Sequence, residues 1–191
     1  MVRKRRKKVA YTGRAKDFVR RNPGLLEEFK KAANTLWNMK PGTRIKVGNT
    51  TVEKFRKKYL AYTRYFVVEH GREKFFVKWL QPAHPFKAGA ISQIGVMHEA
   101  EGILRKHGIQ PMQYELGFEG RHGSFLVARF HGLERLVEIS DSGVVAEAEK
   151  KMDAASKELL ERGIHDLVWE NIFFDPKNKK LIAFDLYRLK H

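Results

Sequence analysis

GIHDLVWENIFFD, Gly163 to Asp175, sets an acid, Asp166, five residues ahead of an amide, Asn171, and then runs straight into the apolar residues Ile172, Phe173 and Phe174. Its flanks decide how it reads. Upstream, SDSGVVAEAEKKMDAASKELLERG carries Val145, Ala148, Met152, Ala155 and Leu159 at helical spacing, with Asp141 or Ser142 to cap the start and Gly163 to stop it. Downstream, IFFD and LIAFD are two short strand-like runs joined by Pro176-Lys177-Asn178-Lys179, a turn. The second run ends on another acid, Asp185. The order is therefore long helix, polar loop, small hairpin, acid.

Farther upstream the pattern changes. RYFVVEHGREKFFVKWL, Arg64 to Leu80, holds two runs rich in aromatic and β-branched residues around His70-Gly71, a hairpin signature. ISQIGVMHEAEGILRKHG reads as a helix stopped by Gly108, and SFLVARF, Ser124 to Phe130, reads as a strand. Near the N-terminus, Asn22-Pro23 can open a helix over LLEEFKKAANTLW, whose Leu25, Phe29, Ala32 and Leu36 form one apolar stripe. Helix, strands, helix, strand, helix and hairpin make an α+β chain.

On these residues the chain resembles the protein-kinase-like fold. That family's catalytic loop reads H-x-D-x-x-x-x-N, after a long helix and ahead of a short hairpin that ends in a metal-binding Asp. IHDLVWEN places Asp166 on the catalytic Asp and Asn171 on the metal-binding Asn, and IAFDLY places Asp185 on the D-F-G Asp. Lys78 in FFVKWL matches the strand Lys of V-A-I-K, and FLVARFHGLERL, with Ala128, resembles the segment that joins the two lobes. The helix between them offers Glu99 and Glu101 for the ion-pair Glu. Glu99, with Ile103 four residues on, fits the family pattern better than Glu101, which has Arg105 there. The resemblance runs from about Arg64 to Lys190 and is similar to the small atypical members, the RIO-type, lipopolysaccharide-core and aminoglycoside kinases.

The resemblance implies a two-lobed fold: a β-rich N-lobe over about residues 22–128 and a reduced, helical C-lobe over about 129–191; the charge pattern sets a basic, disordered arm, residues 1–21, ahead of them. It implies ATP and Mg²⁺ as cofactors. Asn171 and Asp185 would be the hard oxygen ligands of the metal, Asp166 the group that takes the acceptor's proton, and Lys78, held by Glu99, the positive charge on the phosphates. Phe76 and Ala128 would line the nucleotide pocket. The acceptor would be a protein Ser or Thr, or a small hydroxyl compound.

The sequence also departs from the family. KFRKKYLAYTRYF, Lys54 to Phe66, holds no G-x-G-x-x-G phosphate loop. Phe76 stands where the family carries a small residue, which narrows or reshapes the nucleotide pocket. Leu186-Tyr187 follow Asp185 without the family's Gly, and six residues remain after that Asp, so no activation segment is expected within this sequence.

Composition adds a second theme. The formal net charge is +16, and residues 1–21 hold ten Lys and Arg against one Asp. Arg3-Lys4-Arg5-Arg6-Lys7-Lys8 is self-repelling, reads as disordered when free, and suits phosphate contacts on nucleic acid or a ribonucleoprotein. A catalytically inactive kinase-like module that binds such a partner is thus the alternative to an enzyme. The absence of Cys excludes disulfides and thiolate metal sites. No apolar run is long enough to span a bilayer and no signal peptide opens the chain, so a cytoplasmic protein is expected.

Overall fold

Thr63–His70 (β4) and Glu73–Leu80 (β5) pair antiparallel, from Thr63 opposite Leu80 to His70 opposite Glu73. Gly71 takes φ +62° in the connecting turn, a conformation that costs any other L-residue more. The expected hairpin is therefore present. The computed structural model describes residues 8–11, 20–21, 24–36, 39–55, 63–80, 89–120, 123–130 and 132–188. Arg3, Lys4, Arg5, Arg6 and Lys7 of the basic run, the Asn22-Pro23 helix start and Trp37 lie outside them.

The chain falls into two compact units. One draws on Met1–Pro85, Gly89–Ile91 and Tyr114–His131, the other on Phe86–Ala88, Ser92–Gln113 and Gly132–His191. Ser92–Gln113 thus groups with Gly132–His191, and Tyr114–His131 with the N-terminal segment.

The first unit is built on a seven-stranded sheet of order β1-β7-β8-β5-β4-β3-β2. Its other strands are Lys8–Tyr11 (β1), Arg44–Val47 (β2), Thr50–Lys54 (β3), Tyr114–Gly120 (β7) and Gly123–Arg129 (β8). Side chains alternate across the pleat, so Phe75, Val77 and Trp79 point to one face and Phe76 and Lys78 to the other. The first face gathers Val52, Phe66, Val68, Phe125 and Val127 and is covered by Ala32 and Leu36 of helix α1 (Leu25–Leu36). Each large side chain buried there contributes about 1.5–3 kcal/mol relative to exposure. A polar latch fixes α1. The Thr50 hydroxyl donates to the Glu28 carboxylate and lies 2.8 Å from His70 Nδ1. Gly48 lies beside this carboxylate: a Cβ there would sit 2.5 Å from Glu28 Oε1, so that side chain would have to shift.

One expectation is corrected here. Lys8–Tyr11, read as part of a disordered arm, form the edge strand β1, with Lys8 opposite Glu119 and Tyr11 opposite Leu116. The free edge of β7 offers unpaired backbone groups, and Val9-Ala10-Tyr11 have strand propensity enough to take them up.

The second unit holds most of α2 (Ala90–Lys106) and α3 (Ser142–Glu161). Asp141 caps α3, its Oδ1 accepting from the backbone N–H of Gly143 (2.9 Å) and Val144 (3.1 Å). Ala148, Met152, Ala155 and Leu159 are buried as expected. The small hairpin is Ile172–Asp175 (β11) and Lys180–Ala183 (β12). It is enlarged by Ile109–Pro111 (β6), parallel to β12, and by Glu134–Arg135 (β9), antiparallel to β11. Ile164–His165 (β10) and Tyr187–Arg188 (β13) pair separately. The expected helical C-lobe is therefore a mixed unit, and the fold as a whole is α+β. The extra pairings use short segments whose apolar residues, Ile109 and Leu136 among them, are buried but too brief to signal strand or 3₁₀ turn on their own.

Candidate active site

Asp166 sits just beyond α3. Gly163 turns the chain at φ +68°, β10 follows, and Asp166 itself takes φ +80°. A non-glycine residue in this left-handed region carries strain of about 1–3 kcal/mol and stays there only when its surroundings hold it. Here they do. Asn171 Nδ2 donates to the Asp166 carbonyl at 2.8 Å and to the Asp185 carbonyl at 3.1 Å. The Asn171 carbonyl accepts from Phe184 N–H at 3.0 Å, and its own N–H donates to Val168 at 2.9 Å. The loop, the short turn Trp169–Asn171 and the end of β12 are thus stitched by one side chain that is 1% exposed.

Because both amide hydrogens of Asn171 are spent on carbonyls, its Oδ1 is left as the acceptor end. Asp185 is fully buried, between β12 and β13. Aromatic packing holds both flanks. Phe173 stacks on Phe184 at 4.4 Å, and His165, next to Asp166, stacks on Tyr187 at 5.8 Å. The structure therefore brings Asp166, Asn171 and Asp185 together. An amide oxygen and a carboxylate are hard donors of the kind Mg²⁺ takes. No group of three or more acidic, His or Cys side chains able to hold a metal occurs among the described residues. The donor set fits a Mg²⁺ ion that completes its shell with phosphate oxygens and water, which is that ion's habit.

In the first unit the structure assembles the other predicted set. Phe76 lies directly opposite Ala128 and Val67, and Lys78 opposite Leu126 and Tyr65. Phe76, Lys78, Leu126 and Ala128 are fully buried. Burial of an ammonium is tolerable only with partners, and Lys78 is engaged in polar or electrostatic contact. The Phe76 ring is packed by three others. Tyr65 stacks on it at 5.5 Å and 20°, Phe130 at 6.0 Å and 28°, and Phe55 meets it edge-on at 5.5 Å and 80°. Sequence reading singled out Phe76 but missed the rest of this cluster. The signal available was the i, i+2 placement of Phe76 and Lys78 on one strand face; nothing in the sequence showed that Phe55 and Phe130 join them.

Glu99 pairs with Arg188. Its Oε2 lies 2.5 Å from Arg188 Nη2, and the same Arg188 nitrogen donates to the Arg162 carbonyl at 3.4 Å. The alternative Glu101 pairs with Arg105 at 2.8 Å and approaches His98 at 3.6 Å. Sequence reading gave Arg188 no role.

The hydrogen bond from Asn178 holds the Asp175 carboxyl below its usual range in the hairpin turn. Hydrogen bonds from Lys106 and then His107 hold Glu158 low where α2 meets α3.

No protein-family model and no curated protein matches the chain. Distant likenesses appear among solved structures. The Mycobacterium tuberculosis PknI kinase domain gives a TM-score of 0.40 at 12% identity, over 77% of this chain and 62% of that one. Spectinomycin phosphotransferase APH(9)-Ia, in complex with ADP and spectinomycin, gives 0.39 at 11%, over 67% and 37%. The bifunctional kinase-methyltransferase WbdD gives 0.37 at 14%, over 74% and 35%. The chain spans less than two thirds of the length of each of these structures. No helix among the described residues is long and apolar enough to cross a membrane.

Proposed function

We propose that the chain is a metal-dependent phosphotransferase of the protein-kinase-like kind, moving the γ-phosphoryl group of ATP to a hydroxyl acceptor, either a protein Ser or Thr or a small hydroxyl compound. The observation that carries this reading is the pair of hydrogen bonds from Asn171 to the Asp166 and Asp185 carbonyls. A loop acid that serves only to cap a turn needs no such tie to a second buried acid fourteen residues from the amide.

Phosphoryl transfer asks a protein chiefly to position groups and to neutralise charge. Asp166 takes the proton of the attacking hydroxyl as its oxygen bonds to the γ-phosphorus. The bond from that phosphorus to the bridging oxygen breaks, and its electron pair leaves on ADP. Asn171 Oδ1 and the Asp185 carboxylate would hold Mg²⁺, which supplies charge neutralisation at the phosphates when bound. Lys78 would add fixed positive charge. The test is thermal stability with and without Mg²⁺ and ATP, since a ligand of the native state raises its melting temperature. Wild-type protein is expected to be stabilised by the two together and Asp185→Asn is not. No stabilisation of wild type at millimolar Mg·ATP sinks the reading.

A second reading has its own observation. The ring cluster around Phe76 and the charge gathered in residues 1–21 favour an inactive module that binds nucleic acid or a ribonucleoprotein. If Arg3 to Lys8 all engage phosphates, log affinity for duplex DNA falls against log salt with a slope of roughly −5. Deleting residues 1–8 then flattens that slope for every sequence alike. An unchanged slope removes the arm from consideration.

A further inference from the structure

His165 directly precedes Asp166, and Tyr187 lies two residues beyond Asp185. With Ile164 and Arg188 they make up the β10–β13 pairing: Ile164 lies opposite Arg188 and His165 opposite Tyr187. The His165 and Tyr187 rings stack across it. This pairing ties the two acid-bearing segments together from one side, as Asn171 ties them from another. A ladder of two residue pairs is too short to be stable alone, so it depends on what anchors it. Arg188 is placed to do so. Its Nη2 donates to the carbonyl of Arg162, the residue that closes α3, at 3.4 Å and reaches the Glu99 carboxylate of α2 at 2.5 Å. A cation at the last carbonyls of a helix is favoured both by the unsatisfied acceptors and by the helix dipole. In this way β13 is fastened to α2 and to α3.

We propose that Arg188 is a positioning residue for Asp166. The proposal rests on the phosphotransferase reading and adds what governs the rate of that site. Asp185 is fully buried. Asp166 is half-buried and carries the strain of φ +80°. When β13 loosens, His165 loses its backbone partner and its ring partner, and Asp166 is the acid that drifts toward a relaxed backbone. A misplacement of about 1 Å at a reacting group costs about a hundredfold in rate. Asp166 acts only as the hydroxyl gives up its proton, so the loss falls on kcat and leaves the KM for Mg·ATP where it was. The Arg188 and Glu99 side chains are 47% and 49% exposed, and ion pairs so open to solvent add little to stability. The rate can therefore fall while the fold stands.

The experiment measures kcat, the KM for Mg·ATP and the melting temperature of the full chain as wild type, Arg188→Met and Arg188→Lys, following label as it leaves γ-labelled ATP. Met keeps the stem and removes the charge and the donors. Lys puts the charge back on one nitrogen, which is all that the two contacts use. The expected result for Arg188→Met is a kcat lower by about tenfold or more, an unchanged KM, and a melting temperature within about 4 °C of wild type. Arg188→Lys is expected to bring kcat back to within about threefold of wild type. Wild-type kcat in Arg188→Met, or a raised KM in place of a lowered kcat, overturns the proposal and leaves the phosphotransferase reading standing. So does a kcat loss that Lys does not mend, or one that comes with a larger fall in melting temperature, since either makes Arg188 a general support of the fold. No transfer by wild type brings down that reading, and the proposal with it.

Discussion

Asn171 donates its side-chain amide to the Asp185 backbone carbonyl at 3.1 Å, in a place where both residues are shut off from solvent. The same nitrogen holds the Asp166 carbonyl. One neutral side chain thus sets the spacing between the acid that would take a proton and the acid that would hold a metal.

Removing that tie is expected to cost stability as well as activity. Asn171→Ala leaves two carbonyls short of a donor, at about 1–3 kcal/mol for each one that is buried and finds no water. Asn171→Asp adds repulsion, since a carboxylate oxygen then faces two carbonyl oxygens. Urea unfolding should rank wild type above Ala and Ala above Asp. An Asn171→Asp variant as stable as wild type contradicts the hydrogen-bond assignment.

The backbone of Asp166 makes a separate prediction. At φ +80° a Gly relaxes the strain that Asp carries, at the cost of a more flexible unfolded chain, whereas a β-branched residue adds to it. Asp166→Gly should melt no lower than wild type, and Asp166→Val should be about 1–3 kcal/mol less stable than the Gly variant. Both should lack phosphoryl transfer. Equal stability of the Gly and Val variants means the residue is not held in the left-handed region.

Phe76→Ala empties the centre of a four-ring cluster. Truncating a fully buried Phe with aromatic neighbours costs about 3–5 kcal/mol. The denaturation midpoint should fall while its slope stays constant. A loss below about 1 kcal/mol would show that the ring is dispensable to the fold.

Glu158 gives the pH dependence. Its folded-state pKa lies below the ordinary 4.5, first because Lys106 donates to it at 2.6 Å and then because His107 does so at 2.8 Å. A depressed carboxylate pKa means that the unfolded chain binds the proton more readily. Its contribution is therefore complete above about pH 4.5 and is lost as pH falls through the lower folded value. The gap in melting temperature between wild type and Glu158→Gln should be present at neutral pH and close in acid. A gap that widens in acid reverses the sign of this argument.

How much of this was legible in the sequence depends on whether the signal was local. Hairpins at Gly71 and Pro176–Lys179, the Asp141 cap and the buried stripe of α3 each lie within one window of sequence, and each is present. The order Asp166, Asn171, Asp185 was legible because chemistry fixes residue type and the loop fixes spacing. Pairings across long stretches were not. β1 joins β7, and β6 joins β12, through segments too short to carry a period of their own. Arg188 gave no sign of reaching Glu99, since an exposed ion pair between residues far apart in the chain leaves no pattern in either neighbourhood. The left-handed backbone at Asp166 was invisible for another reason: Asp tolerates that conformation without advertising it as Gly does.

The most direct test of the central claim is transfer from γ-labelled ATP. Wild-type protein with Mg²⁺ is incubated with the label, and product is followed as phosphoprotein, phosphorylated hydroxyl compound or released phosphate. Asp166→Asn, which keeps a residue able to adopt positive φ, is run beside it with its melting temperature checked. The account predicts label transferred by wild type in the presence of Mg²⁺, and transfer lost in a variant that melts where wild type does. Label that stays on ATP with wild type, or leaves it equally fast with Asp166→Asn, contradicts the account.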